Sequence, residues 1–403
     1  MKQIIVSQVG ARHRYLIPQI LCKANMLSKL YTDSCRYSTL GKIGIVLQKI
    51  GFKNRSLLRL YNRNPQLPLS KVFSTDALFV KTEIKRFDRC FDKILTITYQ
   101  GMSDLFVKWG VDESNIIYNM YFENFNFLIY GKEQGKKIVV DIYENPTAFS
   151  NLISEVNNVS EYNRYNSIRK RYAAEDKLRK QYMNELLELA DYYTVPSVFV
   201  LNSLKEYPNF DESKVAMLPY PSSITKTDYN YRPIKHKIIW VGNAPVRKGL
   251  IYCAKAATIL KSKYPDLNFE IIGMADKALM NDEIFKDLNF VGLLDKNQLI
   301  EEYETAEAYV FPTLYEGLAG TVIEAACCGC PIITTENAGV EKGKFPAIFI
   351  PTRNIDTIVE SIEYIFKFPQ ERDNLSKEVF QFANKEYSPK TYEKRLLNFF
   401  ASI

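Results

Sequence analysis

The sequence predicts an α/β protein built from two parallel-sheet domains in tandem, facing each other across a cleft. Three observations lead there. Short β-rich runs alternate with helical segments of ten or more residues, the pattern of parallel strands joined by crossover helices. A chain of 403 residues exceeds what one core usually holds, and its 46% hydrophobic and 13% aromatic content supplies material for two. The alternation breaks at "MLPYPSSITKTDYNYRPIKHK", where Pro219, Pro221 and Pro233 bracket a polar stretch without periodicity. The expected organisation is therefore a first domain over 1–218, a linker over 219–233 and a second domain over 234–385. A closing helix over 386–403 is expected to pack back on the first domain.

Each element has a local reason. "QIIVSQV" is a short β-rich run, and "RYLIPQILCKANMLSKL" has helical apolar spacing. "NIIYNMYF" and "KKIVVDIY" read as strands, and the charged stretch from about Glu161 to Ala190 as a helix buried on one face, with Leu178, Tyr182, Leu186 and Leu189 at three- and four-residue steps. Beyond the linker the strands are "KIIWVG", "NFEIIG", "LNFVG", "AYVFP" and "PIITT". They are separated by helical segments such as "GLIYCAKAATILKSKY" and "KNQLIEEYETA".

Composition excludes several classes. The opening "MKQIIVSQVG" lacks the long apolar core and small-residue cleavage site of an export signal, and no apolar run approaches the roughly 18 to 20 residues that span a bilayer. Seven scattered cysteines argue against a disulfide framework, so a cytoplasmic, reducing setting is expected. Residues 1–70 carry 12 Lys and Arg against one acid, Asp33, a net +11 that leaves −4 for the remaining 333 residues. In "GKIGIVLQKIGFKNRSLLRLYNRN" the cations Lys42, Lys49, Lys53, Arg55, Arg59 and Arg63 alternate with Ile, Leu, Val, Phe and Tyr. That mixture suits either a solvated face or a surface meeting anionic lipid headgroups or a phosphate-bearing substrate. A nucleic-acid partner is not expected, since no zinc ligand set, RNA-binding aromatic motif or basic heptad run accompanies the charge.

The chemistry concentrates in "VFPTLYEGLAGTVIEAACCGCPIITT", residues 310–335. A strand ends at Pro312, a loop carries Glu316, Gly317 and Gly320, and a helix follows from about Thr321 until Gly329 and Pro331 stop it. Small loop residues let a ligand approach the backbone, and a helix start offers unpaired N–H groups and a positive dipole end, so a phosphate or diphosphate is the expected guest. Glu324, one turn into the helix, and Glu316, before it, would flank that anion and reach hydroxyls at its two ends, as a nucleotide-sugar requires. The bland alternative makes Glu316 a turn residue and Glu324 a solvated helix position. A second stretch, "IIWVGNAPVRKGL", runs from a strand through Gly242 and Asn243 to Arg247, Lys248 and Gly249, whose cations could reinforce the same site. Cys327, Cys328 and Cys330 have no His near them and read as packing residues rather than a zinc set.

Glu316 and Glu324, with seven residues between them and "AACCGCPII" after, resemble the Glu-x7-Glu signature of retaining GT-B glycosyltransferases, in particular family 4. The similarity covers the second domain, through the Gly-to-"RKG" loop, "EIIG" at Gly273, "FVGLL" at Gly292, "AEAYVFPTLYEG" and the ending "YSPKTYEKRLLNFF". It is weaker in the first half, where "ADYYTVPSVFVLNSL" resembles the family's strand and Ser before the linker. The resemblance implies a fold of two Rossmann-like domains, with a nucleotide-diphosphate-sugar donor and a saccharide or lipid-linked acceptor. It implies Lys248 on donor phosphate, Glu324 on ribose hydroxyls, and Glu316 with the amides of Leu318, Ala319 and Gly320 on sugar and diphosphate, beside Gly317 and Thr321. Leu293 and Leu294 would face the nucleobase, and Gly10 would match the glycine of the first loop.

Three departures stand out. Asn243 replaces the Arg that often follows the donor-loop glycine, with Arg247 a candidate substitute. "EGLAG" replaces "EGFG". In "VVDIYENP", Tyr143 and Glu144 stand where the family commonly has His beside an acid. His13, in "SQVGARHRYLIPQ", is then the one first-domain histidine able to contact sugar or phosphate; the plainer reading is a basic rim in which His13 caps the following helix. No Asp-x-Asp is present and no metal or other cofactor is expected. Transfer would be aided by electrostatic stabilisation of the leaving diphosphate through Lys248, Arg247 and helix amides. A nucleotide-sugar epimerase and a non-catalytic nucleotide-sugar-binding subunit are the competing readings. A glycosidase fits poorly, because both acids belong to one loop-helix unit. The Lys-, Ile-, Asn- and Tyr-rich composition points to bacterial surface polysaccharide, capsule or lipopolysaccharide biosynthesis, with peripheral contact at the inner face of the membrane.

Overall fold

A computed structural model describes residues 2–51, 60–77, 102–121, 123–159, 166–273 and 282–403. Lys53, Arg55, Arg59, Cys90, Phe122 and residues 161–165 of the expected long helix lie outside the described residues. The chain forms two compact units, Met1–Val195 with Leu204–Ala216, and Pro196–Ser203 with Met217–Ile403.

In the first unit the strands are β1 (Ile4–Gln8), β2 (Leu27–Thr32), β3 (Val72–Ser74), β4 (Ile116–Met120), β5 (Lys137–Asp141), β6 (Tyr192–Val195) and β7 (Val215–Met217). They lie in the order β3-β2-β1-β4-β5-β6-β7, and the pairs from β3 through β6 are parallel. The strands of this parallel sheet are buried rather than alternating in and out, and β1 and β4 are buried at every position, Ser7, Gln8 and Asn119 included. One expectation fails here. The apolar run 14–30 was read as one helix, but the helix is Leu16–Lys23 and Leu27–Thr32 is strand β2. Asn25 takes φ +55, a left-handed residue that ends the helix, and the chain then pairs with β1 from Ile4↔Leu27 onward. The long charged helix is Asn166–Leu189, with Leu186 buried.

The second unit contains β8 (Lys237–Gly242), β9 (Asn268–Gly273), β10 (Asn289–Gly292), β11 (Ala308–Phe311), β12 (Ile332–Thr334) and β13 (Ile348–Phe349), all parallel in the order β10-β9-β8-β11-β12-β13. Both sheets thus begin with the doubly wound order 3-2-1-4-5-6, in which ligands bind beyond the carboxyl ends of the strands at the point where the order reverses. That point lies between β1 and β4 in the first sheet and between β8 and β11 in the second.

Between Met217 and Lys237 there is no helix or strand. This stretch belongs to the second unit, where Lys226, Asn230 and Arg232 converge on the buried carboxylate of Glu304. The last helix, Pro389–Ser402, is also part of the second unit: Tyr392 lies 6.2 Å ring to ring from Tyr220, and Ser222 N–H donates to Tyr387 O at 2.9 Å.

Candidate functional site

The second unit gathers Arg247, Lys248, Glu316 and Glu324 around the reversal point of its sheet. β8 leads through Gly242 into the loop that carries both cations. A Cβ on Gly242 would lie 2.5 Å from Lys248 Cδ and 2.9 Å from Trp240, so only glycine lets the lysine stem pass. Trp240 Nε1 donates to Lys248 O at 3.1 Å, which fixes the backbone from beneath. Gly249 holds φ +67 with its would-be Cβ 2.1 Å from Pro312 O, so the two loops meet without a side chain between them. Leu314 N–H and the Thr313 hydroxyl both donate to Arg247 O, at 2.8 and 3.1 Å.

Glu316 sits between the two cations. Arg247 Nη1 is ion-paired with Glu316 Oε2, and Lys248 Nζ lies 3.5 Å from Oε1. Arg247 stacks over Tyr315 at 5.4 Å, and Lys248 Nζ lies 4.8 Å from the Phe311 ring centre. Burial disfavours the charge on Glu316, but Lys248 and Arg247 outweigh it and hold the carboxyl below its usual range. Burial also lowers the Lys248 ammonium from its ordinary value, against the pull of Glu316. Glu316 Oε1 is buried and makes no hydrogen bond, the long ion pair with Lys248 aside. Both cations face Glu316, and Glu324 also acts on Lys248 from one turn into the following helix.

Helix Gly320–Cys327 starts beside this cluster, and its N-cap, Ala319, makes no side-chain capping bond. The sequence expectation for its amides needs correction. Ala319 N–H donates to Ala338 O and Glu316 N–H to Asn337 O, both at 2.8 Å, because the 337–338 turn folds against this loop. Leu318, Gly320 and Thr321 supply the amides that remain at the helix start. Ser197 Oγ donates to Gly317 O at 2.5 Å, and Tyr309 OH to Thr321 Oγ1 at 2.8 Å, so the loop and first turn are pinned at both ends. Glu324, half-buried one turn on, accepts from Ser223 Oγ at 2.6 Å. Asn243 is exposed, as is Leu293, at 71%, after β10 and next to half-buried Leu294. The three cysteines of this region are buried, and among the described residues no group of three or more His, Cys, Asp or Glu side chains is placed to hold a metal ion.

The first unit holds Gly10, Arg12 and His13 at its own reversal point, within a network that the sequence did not reveal. Gly10 N–H donates to Asp33 Oδ1 at 2.8 Å, and Val9 N–H to Glu123 Oε2 at 2.6 Å. Arg63 pairs with Asp33 at 2.8 Å and Arg12 with Glu123 at 2.9 Å. Arg12 also lies 4.1 Å over the ring of Tyr143, the residue standing in the histidine's place beside Glu144. Burial pushes the Asp33 and Glu123 carboxyls up, against the pull of Arg63 and Arg12 respectively. The Gly10 amide is therefore engaged by this chain's own carboxylate. His13, Arg14 and Tyr15 hold φ of 45, 54 and 62°, a left-handed turn of three non-glycine residues, with His13 and Arg14 exposed. Such a run costs roughly 1–2 kcal/mol per residue. The helix-cap reading of His13 fails, because the helix Leu16–Lys23 has Tyr15 as its N-cap and no side-chain capping bond.

With this geometry in hand, the fold is the two-domain, Rossmann-like GT-B fold. Residues 235–367 match the family model described as "Glycosyl transferases group 1". An uncharacterized glycosyltransferase of Haemophilus influenzae is 25% identical over 169 residues, 40% of this chain and 48% of the relative. The N,N'-diacetylbacillosaminyl-diphospho-undecaprenol alpha-1,3-N-acetylgalactosaminyltransferase of Campylobacter jejuni is 23% identical over 210 residues, 50% of this chain and 52% of the relative. The chain thus spans about half the length or less of these curated relatives. Among solved structures, that of Anabaena Alr3699/HepE in complex with UDP-glucose has a TM-score of 0.60 at 10% identity, covering all of both chains.

Proposed function

We propose that the chain is a retaining glycosyltransferase of family 4 type, moving a sugar from a nucleotide-diphosphate-sugar to a hydroxyl of a saccharide or lipid-linked saccharide. The observation that carries this reading is the Arg247–Glu316–Lys248 cluster at an uncapped helix start, with Glu324 one turn into that helix. Arg247 and Lys248 both face Glu316, and together with the helix amides they supply the donors and positive ends that a diphosphate needs, while Glu324 stands one turn further on. Glu316, with one oxygen short of hydrogen bonds, is suited to accept from the transferred sugar. Glu324, already accepting from a hydroxyl, is suited to the ribose.

In this mechanism the protein stabilises charge developing on the leaving diphosphate through Lys248, Arg247 and the amides at Leu318, Gly320 and Thr321. The acceptor hydroxyl attacks the anomeric carbon from the face the diphosphate leaves as the carbon–phosphate oxygen bond breaks, its proton passing to the departing phosphate oxygen; configuration is retained, and no metal or other cofactor is called on. The Campylobacter relative, named for a diphospho-undecaprenol acceptor, supports a lipid-linked acceptor, with bacterial surface polysaccharide, capsule or lipopolysaccharide synthesis as the proposed setting. A cytoplasmic enzyme working peripherally at the inner face of the membrane is consistent with this. No described helix is long and apolar enough to cross a bilayer.

The test uses a panel of nucleotide-sugars with lipid-linked acceptors, following nucleoside diphosphate release and the anomeric configuration of the product by NMR. In Glu316→Gln, kcat is expected to fall about 10²–10³-fold with donor Kd little changed. Wild-type turnover in that variant, inversion at the anomeric carbon, or donor isomerised without acceptor would each overturn the reading.

A further inference from the structure

The basic first 70 residues include one element whose outward face has no role in either site. Helix Thr39–Lys49 carries a side-chain cap at its start, where Ser38 Oγ accepts from Gly41 N–H. It is seated through two buried glycines, Gly41 and Gly44. A Cβ on Gly41 would lie 1.9 Å from Cys35 O and 2.9 Å from the Arg36 backbone, so the first turn folds tightly onto the loop that leads into it. The face opposite the two glycines is turned outward. Ile43, Val46 and Ile50 are 46, 60 and 73% exposed, three large apolar side chains open to solvent, and Lys42 and Lys49 are exposed with them.

At about 100° per residue these five side chains fall within one arc of about 120°. The lysines occupy one margin, Val46 the middle, and Ile50 and Ile43 the other margin. A face kept only for solubility would not present three β-branched apolar residues together. The charge around it selects the partner. Twelve Lys and Arg against one acid in residues 1–70 repel a basic surface, and an apolar stripe offers nothing to a nucleic-acid backbone. An anionic bilayer provides both complements, acyl chains for the stripe and headgroups for the lysines.

We propose that helix Thr39–Lys49 is the element by which this protein docks on an anionic lipid surface, with Ile43, Val46 and Ile50 inserted at the headgroup level and Lys42 and Lys49 on the headgroups. The purpose assigned to docking, access to a lipid-linked acceptor, rests on the proposed function; the docking itself does not.

The test is co-sedimentation of the full chain with vesicles of phosphatidylcholine alone or mixed with phosphatidylglycerol. Wild type is expected to bind the mixed vesicles and to release as salt rises. Ile43→Glu/Val46→Glu/Ile50→Glu is expected to weaken binding about tenfold or more. Lys42→Glu/Lys49→Glu is expected to do the same while leaving the pure phosphatidylcholine result unchanged. All five positions are exposed, so far-UV circular dichroism and the affinity for nucleoside diphosphate should match wild type in both variants. Failure of wild type to bind mixed vesicles, or wild-type binding by the apolar variant, overturns the proposal. So does a concentration-dependent dimer in light scattering that Val46→Glu dissociates, since the face would then be occupied by a second copy. Each of these outcomes leaves nucleoside diphosphate binding unaffected, so the docking surface and the transferase reading fail separately.

Discussion

The two units place charged side chains at the same topological point and use them in opposite ways. In each sheet the first strand leads into a loop carrying an arginine, and the fourth strand into a loop carrying its glutamate partner: Arg12 and Glu123 in the first unit, Arg247 and Glu316 in the second. In the first unit a further pair, Arg63 and Asp33, balances the charge, and the loop amides of Val9 and Gly10 donate to the carboxylates. In the second unit Lys248 adds a cation beside Glu316, and Glu324 acts on it from one turn into the helix rather than from the loop. Burial accordingly raises Asp33 and Glu123, whereas Glu316 is held down by its two cations. The same fold position therefore yields carboxylates each locked to one arginine in one unit and a carboxylate held ionised between two cations in the other, the arrangement on which the proposed anion site rests.

The chain has two tryptophans, Trp109 in the first unit and Trp240 in the second, so Trp→Phe backgrounds let each unit report its own unfolding. The largest expected effect on stability is that of Glu123→Ala, which strands Arg12 and the Val9 amide. Breaking a buried pair costs about 3–5 kcal/mol, and the lower end, about 3 kcal/mol, applies here because the Arg12 side chain is 34% exposed. Urea unfolding followed by Trp109 should show it, and an unchanged midpoint would mean that the lock is not structural. Gly242→Ala comes next, at about 1–3 kcal/mol from overpacking against Lys248 and Trp240. It should also weaken nucleoside diphosphate binding by displacing the lysine; a variant with unaltered stability and affinity would break the claimed close approach.

Smaller still is the left-handed turn. His13→Gly should stabilise the first unit by about 1 kcal/mol by relieving positive φ, whereas His13→Ala should not. If the imidazole contacts substrate, both variants lose transfer activity; activity retained in both would make the turn a basic rim. The smallest effect is that of pH. The folded-state pKa of Glu316 lies below its unfolded value, so its contribution is complete above about pH 4.5 and is lost as pH falls through the folded value. Asp33 and Glu123 are raised, so ionisation weakens the first unit and their protonation on acidification favours it. Acidification should therefore reduce the stability reported by Trp240 more than that reported by Trp109, and the reverse order would contradict the assigned directions.

What was legible in the sequence was local. Strand and helix alternation, the Glu316 to Glu324 spacing and the Arg247–Lys248 pair each lie within one short stretch, where periodicity and turn chemistry act. Strand β2 was hidden because its apolar residues continue a helical pattern that only the left-handed Asn25 interrupts. The Arg12–Glu123 and Arg63–Asp33 pairs join residues 111 and 30 positions apart, and nothing local marks them. Asp33 could be noticed only as the lone acid in a basic region. The engagement of the Ala319 amide by Ala338 likewise depends on how one loop folds against another.

Calorimetric titration of UDP, GDP and ADP into wild type, Lys248→Met and Glu123→Gln tests the contrast between the two clusters most directly. Loss of one charge-assisted contact should weaken the preferred diphosphate about 10- to 100-fold in Lys248→Met. Glu123→Gln should leave its affinity unchanged. Equal affinity in wild type and Lys248→Met, or a loss confined to Glu123→Gln, would contradict the account.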